Sequence, residues 1–425
     1  MSLTDAIVAS NIVSILVNKP ISPTQKHSLS PLSLQTDAPS WVLKLTIGMI
    51  GVFAFLQVYS IQAVLPVLMV DFAATEVQAG MVVGATVMAI AIMSPFLGML
   101  SDAVGRKSFI VGALFFLAIP TACIAQSPSI AWMGIFRFMQ GLSVPGITVV
   151  TIAYIGEEFK GRAVTELMSF YVSGSVLGGF MGRFLLGHLH EFIGWRHGYY
   201  VMAVMTLIGG VWVGKMLPQS RCFKANPNFR SAIQTLGEHL TNRYVVTACL
   251  LGSCVLFSLV GCFTFINLHL ADTPYALSTG QLANIFAVYL IGVVITPLST
   301  SLLRRFGSAR TVRVAVMISM IGVLCTLVMP LWGIIVGLAI MSSGVFVTQA
   351  ATISYIAVNV AKGRSLASGL YYMSYYAGGT MGAWLCGLAY ARGDWLMTVW
   401  LLLGVQVLAL LVASFGMVKT TTRAV

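Results

Sequence analysis

The sequence predicts an all-α membrane protein of twelve transmembrane helices in two pseudo-symmetric six-helix bundles. Three observations predict it: a composition too poor in charge for a water-facing surface, a series of apolar runs of membrane-crossing length, and a pattern that recurs between the two halves of the chain. Of 425 residues, 58% are hydrophobic and 8% charged, whereas a soluble domain carries roughly a quarter charged residues. Lipid is then the solvent for most of the surface. The 24 Lys+Arg against 12 Asp+Glu give a net charge of +12. These basic residues sit in short links between apolar runs, which argues against a nucleic-acid partner and for a role in topology.

A helix crosses the hydrocarbon with about 20 apolar residues. Such runs lie near 43–68, 79–100, 108–126, 130–154, 164–187, 197–217, 245–270, 281–303, 311–329, 331–357, 366–390 and 395–417. With the amino terminus inside, the inward links hold Arg106, Lys107, Lys160, Arg162, then Arg221, Lys224, Arg230 and Arg243. Arg304, Arg305, Arg310, Arg313, Lys362, Arg364, Lys419 and Arg423 follow on the same side. The outward links hold Arg196 and Arg392, with Arg183 close to that side. Positive charge favours the cytoplasmic face, so both termini are expected in the cytoplasm. Pro66, Pro95, Pro145 and Pro297 are expected to kink their spans.

The domains expected are a mobile cytoplasmic tail over 1–41, a six-helix bundle over 42–217, a cytoplasmic central loop over 218–243, a second bundle over 244–418 and a short tail over 419–425. The halves repeat. Pro95 is matched by Pro297, Gly105 by Gly307, Pro128 by Pro330, and Lys160-Gly161-Arg162 by Lys362-Gly363-Arg364, all at one offset. Repeated halves suit a rocking transporter with its site between them near mid-membrane. The seven cysteines show no CxxC spacing and mostly fall inside apolar runs, where Cys acts as a small hydrophobe. No cleavable signal is evident at the start of the chain.

Between the second and third runs stands Gly98-Met99-Leu100-Ser101-Asp102-Ala103-Val104-Gly105-Arg106-Lys107. The fourth run carries Arg137-Phe138-Met139-Gln140-Gly141, and the fifth Gly174-Ser175-Val176-Leu177-Gly178-Gly179-Phe180-Met181-Gly182-Arg183. The first stretch resembles the G-x-L-x-D-x-x-G-R-K signature of the major facilitator superfamily. The second is similar to the R-x-x-Q-G motif of its proton-antiporter branch. The third is related to the antiporter glycine motif, without its usual proline. Together with Ser374-Tyr375-Tyr376-Ala377-Gly378-Gly379, they resemble the YnfM-type, drug–proton antiporter-like branch. The resemblance implies the major facilitator fold and secondary transport, with spans one, four, seven and ten lining the centre.

Several residues carry expectations of their own. Asp102 is an anion at a helix end, suited to a helix N-terminus, which by the resemblance is the start of span eleven near Ser365. Arg106 is expected to pair with Glu157 or Glu158 and, with Gly98, Gly105 and Lys107, to hold the inner face closed; solvated loop charges are the plainer account. At the repeat offset Asp102 becomes Arg304, and Glu157 and Glu158 become Asn359 and Val360, so one half alone carries this charged latch. Arg137 lies inside a span with Gln140 and Gly141 on its face, either as an anionic-substrate or coupling site or as a structural cation held by carbonyls. Glu166 is the candidate coupling carboxylate, with a latch charge as the bland reading, and Asp71 lies at the outer end of span one. Arg183 is expected to pair with Glu191, to line the outer vestibule, or to snorkel to the interface. His188, His190, Glu191 and His197 are a weak candidate for a pH sensor or metal site. Gln57, Tyr59, Gln62, Asn267, His269, Gln349, Tyr355, Tyr372, Tyr375 and Tyr376 are cavity candidates, though helix packing explains such residues equally.

No nucleotide-binding loop, H-E-x-x-H or G-x-S-x-G occurs, so neither ATP chemistry nor catalysis is expected, and no cofactor or metal. The function expected is proton-coupled export of a small organic compound by alternating access, from a monomer in a bacterial inner membrane. The alternatives are an importer or uniporter of a small organic anion, and a transport-inactive membrane sensor or assembly partner.

Overall fold

The structure is a computed structural model that describes residues 39–220, 239, 241–360 and 364–417. Most of the expected tail at 1–41, nearly all of the central link and the last residues lie outside the described residues. The regular elements are all helices: α1 (Trp41–Leu56), a 3-10 turn (Ser60–Val64), α2 (Leu65–Asp71), α3 (Glu76–Val104), α4 (Arg106–Ile124), α5 (Ile130–Glu158) and α6 (Arg162–Met216). They continue as α7 (Arg243–Ala271), α8 (Thr279–Ile285), a 3-10 turn (Phe286–Leu290), α9 (Ile291–Phe306), α10 (Ser308–Cys325), α11 (Leu331–Asn359) and α12 (Arg364–Gly416). Among the described residues nine helices are long and apolar enough to cross a membrane, or ten if α1 and the segment Ser60–Asp71, bent by 44° from it, count as one span.

Local sequence sets these boundaries, and sets them alike in the two halves. Thr75 and Gln78 form a reciprocal capping box at the start of α3, and Ser278 and Gln281 form the same box at the start of α8. Gly105 (φ 98°) ends α3 and Gly307 (φ 75°) ends α9, each in a backbone region that side chains avoid. The long α6 contains a non-helical Gly194 (φ 77°), and α12 is interrupted at Gly393–Asp394.

The first span departs from the continuous helix expected over 43–68. Pro66 has no N–H to return to the Gln62 carbonyl, and the chain tightens into a 3-10 turn in which Gln62 N–H bonds Tyr59 O at 3.1 Å. The carbonyls of Gln57, Val58 and Gln62 lie in this irregular, buried segment. Each finds a donor from another helix, as described below.

Among the described residues, several hydrogen bonds join the parts of the chain before and after the central link, and Thr380 Oγ1 donates to Gly84 O at 3.4 Å. Gln62 Nε2 donates to Thr264 Oγ1 at 2.8 Å and Asn267 Nδ2 to Gln62 O at 2.5 Å. Thr279 Oγ1 donates to Gly187 O at 3.1 Å, and Gly280 N–H to Glu191 Oε1 at 2.8 Å.

Candidate functional site

Arg137 is fully buried on α5 and reaches the break in the first span. Its Nη1 donates to Gln57 O at 2.6 Å and to Gln140 Oε1 at 2.8 Å, and its Nη2 donates to Val58 O. Gln140 in turn donates to Thr121 Oγ1 at 2.7 Å. A Cβ on Gly141 would lie 2.2 Å from Thr86 O, so glycine is what lets α5 and α3 touch. The R-x-x-Q-G pattern thus has a local meaning: the Arg donates to carbonyls of the irregular segment, the Gln holds the Arg, and the Gly admits the neighbouring backbone. Arg137 is not among the residues that line the cavity.

A cavity of about 290 Å³ lies between residues of both halves. Phe55, Tyr59, Thr148, Tyr171 and Gly179 come from the first half; Tyr289, Thr296, Phe346, Gln349, Tyr372, Tyr375 and Tyr376 come from the second. Its wall is aromatic with sparse hydroxyl and amide groups, and among the described residues it includes no carboxylate. That lining suits an organic solute with a flat apolar body. A larger cleft of about 730 Å³ runs between Phe306, Arg310, Val314 and Val347. It has no first-half residue in its wall, so it cannot be the passage between halves. Gln349 and Tyr375 line this cavity; Gln57 and Gln62 do not. Gln57 donates to Thr206 Oγ1 at 3.0 Å.

Arg183 was expected near the outer interface, with Glu191 as a possible partner. Instead it is fully buried, and snorkelling is excluded. Its Nε donates to Gln62 Oε1 at 2.7 Å and its Nη1 to Gly179 O at 2.6 Å. The guanidinium carbon lies 4.8 Å from the Tyr59 ring centre, 4.6 Å from Phe286 and 4.5 Å from Tyr289. Glu191 accepts from Gly280 N–H and lies 4.0 Å from His188. Among the described residues no group of three His, Cys, Asp or Glu is placed to hold a metal. Phe286, Tyr289 and Phe346 were not singled out in the sequence, because a ring inside an apolar run carries no polar flag.

At the other end, Arg106 makes a two-pronged pair with Glu157, Nη2 to Oε1 at 2.5 Å and Nε to Oε2 at 3.0 Å, and also donates to Ser101 Oγ. This fork ties the α3–α4 link to the end of α5. Lys107 is half-buried. The expected bond from Asp102 to the chain near Ser365 involves side chains outside the described residues. Glu166 pairs with Lys44 of α1 at 2.5 Å. Asp71 accepts from Trp195 Nε1 at 2.7 Å.

This arrangement, an aromatic cavity between the halves of a helical membrane chain, is that of a transporter, and comparison with known proteins agrees. The description of the Major Facilitator Superfamily matches residues 47–383. The chain belongs to that superfamily and is an integral membrane transporter. It is 28% identical over 382 residues to the inner membrane transport protein YnfM of Escherichia coli (strain K12), covering 88% of this chain and 91% of that one. It is 27% identical to the uncharacterized MFS-type transporter YybF of Bacillus subtilis (strain 168), covering 86% of this chain and 91% of the relative. Its fold resembles a bacterial homolog of the human lysosomal transporter Spinster in an inward-facing and occupied conformation, with a TM-score of 0.73 at 15% identity, over 88% of this chain and 96% of that one.

Proposed function

We propose that the chain is a secondary active transporter that exports a small organic compound across a bacterial inner membrane in exchange for protons, by alternating access between two six-helix bundles. The observation that carries this reading is the cavity of about 290 Å³ walled by both halves, which hydrogen bonds also join. The ten candidate spans among the described residues, with α6 and α12 each interrupted by non-helical residues, support the reading of twelve. Gln62 bonds Thr264, the residue at its own position in the second half under the repeat offset (62 to 264, as 95 to 297). A residue that touches its repeat partner lies near the axis relating the halves, which supports bundles over 42–217 and 244–418. Cytoplasmic termini follow from the arginine distribution. The YnfM-type branch is supported by the resemblance of the motifs and by the relative in Escherichia coli.

In this reading the Arg106–Glu157 fork belongs to the latch of the cytoplasmic face, together with Gly98, Asp102, Gly105, Lys107 and Glu158. Glu166 takes up the proton and releases Lys44 as it does so. Glu166→Gln is then expected to abolish acceleration of flux by a pH gradient while gradient-independent exchange persists; unchanged gradient dependence would remove Glu166 from coupling. The absence of any carboxylate from the cavity wall among the described residues, with Arg183 beyond the wall, favours a second reading: import or uniport of an organic anion, with no proton carried by the protein. Uptake of a compound panel into proteoliposomes, with and without a pH gradient, separates the two. Flux unaffected by the gradient demotes antiport, and no flux of any compound promotes the transport-inactive reading.

A further inference from the structure

We infer that the cargo is an organic anion whose carboxylate, or a group of like charge and shape, is received by Arg183 beside the cavity; this rests on the transporter reading above. Arg183 has no exposed surface; the Tyr289 side chain lies against its guanidinium as a neutral neighbour, and its Nη2 makes no hydrogen bond of good geometry among the described residues. Its other two nitrogens bond neutral oxygens, of Gln62 and of Gly179, and none of the ion pairs found includes it. A buried cation in a membrane interior normally has a counter-ion or borders the solute pathway. Tyr59, Tyr289 and Gly179, which surround the guanidinium, are also wall residues of the cavity. The ring faces offset part of the cost of burying the charge, yet rings accept no directed N–H bond in the way an oxyanion does. One donor and one uncompensated charge therefore remain beside the cavity, and among the described residues no Asp or Glu pairs with them. Arg137 differs in kind: its bonds run to carbonyls and to Gln140, and no nitrogen of it is left over.

An anion at Arg183 would place its apolar body back along the cavity between Phe346 and Tyr375. Charge and stacking together define the class: a small carboxylate with an aromatic or otherwise flat hydrophobic portion. Neutral amides of the same shape would stack equally well and lack the charge-assisted bond.

The test uses the full chain in nanodiscs and two matched pairs of probes, benzoate with benzamide and indole-3-acetate with indole-3-acetamide, titrated by shift of the unfolding midpoint. Each acid is expected to bind about 10- to 100-fold more tightly than its amide, the effect of one charge-assisted bond. Arg183→Gln is expected to remove that preference. Gln62→Glu is the sharper variant, because it is isosteric and hands Arg183 a built-in carboxylate through the same 2.7 Å contact; it too is expected to lose the preference while unfolding normally. Amides binding as tightly as acids, no response to either acid at tens of millimolar, or a preference that survives in Gln62→Glu would each overturn the inference. Flux of neutral compounds through proteoliposomes alongside any of these would leave the transporter reading standing. An acid preference in binding with no flux of any compound would instead sink that reading and keep the anion site.

Discussion

Gly178→Val is expected to leave almost no folded protein, judged by a monodisperse peak after detergent extraction. The cause is backbone meeting backbone. A Cβ at position 178 would lie 2.2 Å from Val52 O, one at 174 would lie 2.0 Å from Gly48 O, and one at 182 would lie 1.9 Å from Leu56 O. The three glycines recur every four residues and so form one stripe of α6, which faces an equally spaced stripe of α1. A carbonyl in a helix cannot swing aside as a side chain can, so the two helices must separate along their whole contact. Overpacking commonly costs about 1–3 kcal/mol, occasionally more, and a valine here belongs at or above the top of that range. Gly156→Val is the control, since nothing lies within 4 Å of a Cβ at Gly156; a normal peak is expected for it. The second half makes the same prediction independently. Gly378 and Gly382 would meet Ser253 O at 2.2 Å and Phe257 O at 2.4 Å, so valine at either is expected to fail as well. A normal yield of Gly178→Val would mean that the α1–α6 contact is not this close.

Those glycines show how much the sequence can say. Their spacing alone predicts close helix approach, and the family motif marks the same residues. The capping boxes and the positive-φ glycines are equally legible, because each rests on residues close in sequence; for Arg106 the sequence offers Glu157 or Glu158, and the structure pairs it with Glu157. The candidate site is less so. The apolar run over 164–187 puts Arg183 near the outer end of its span, but the helix itself continues to Gly194. Eleven residues (183 to 194) separate Arg183 from that break, about 16 Å of helix, which puts the cation inside the bundle. Tyr289 and Phe286 come near it only because α8 ends in a 3-10 turn, and no periodicity in the sequence specifies which helix they face. For Arg137 both readings were open. What decides the geometry is the break at residues 57–59, a consequence of Pro66 and of partners on other helices.

Arg137→Ala is expected to lower stability by about 2–6 kcal/mol, since it removes the donor to the Val58 carbonyl and to Gln140 Oε1, leaves Gln57 O with Ser60 Oγ alone, and an unmet buried group costs roughly 1–3 kcal/mol. The measurement is thermal unfolding of the purified chain, and a midpoint close to that of the native chain would refute the structural role. Arg137→Lys is expected to fall between the two, because a single ammonium keeps the charge but cannot reproduce a planar fork directed at separate oxygens. A second readout tells positioning from cargo binding. The molecules of Arg137→Lys that remain folded are expected to keep the preference for an acid over its amide, since Arg137 stands outside the cavity wall. Their affinity for both probes should fall together. The reason lies in chain order: the segment fastened by Arg137 leads within two residues to Tyr59, which stacks on Arg183, and then to Gln62, which bonds Arg183 and Thr264 at once. Loosening the carbonyls at 57 and 58 frees a segment that touches the cavity, the buried cation and the second half of the chain, so the loss reaches the site without any contact between Arg137 and the cargo.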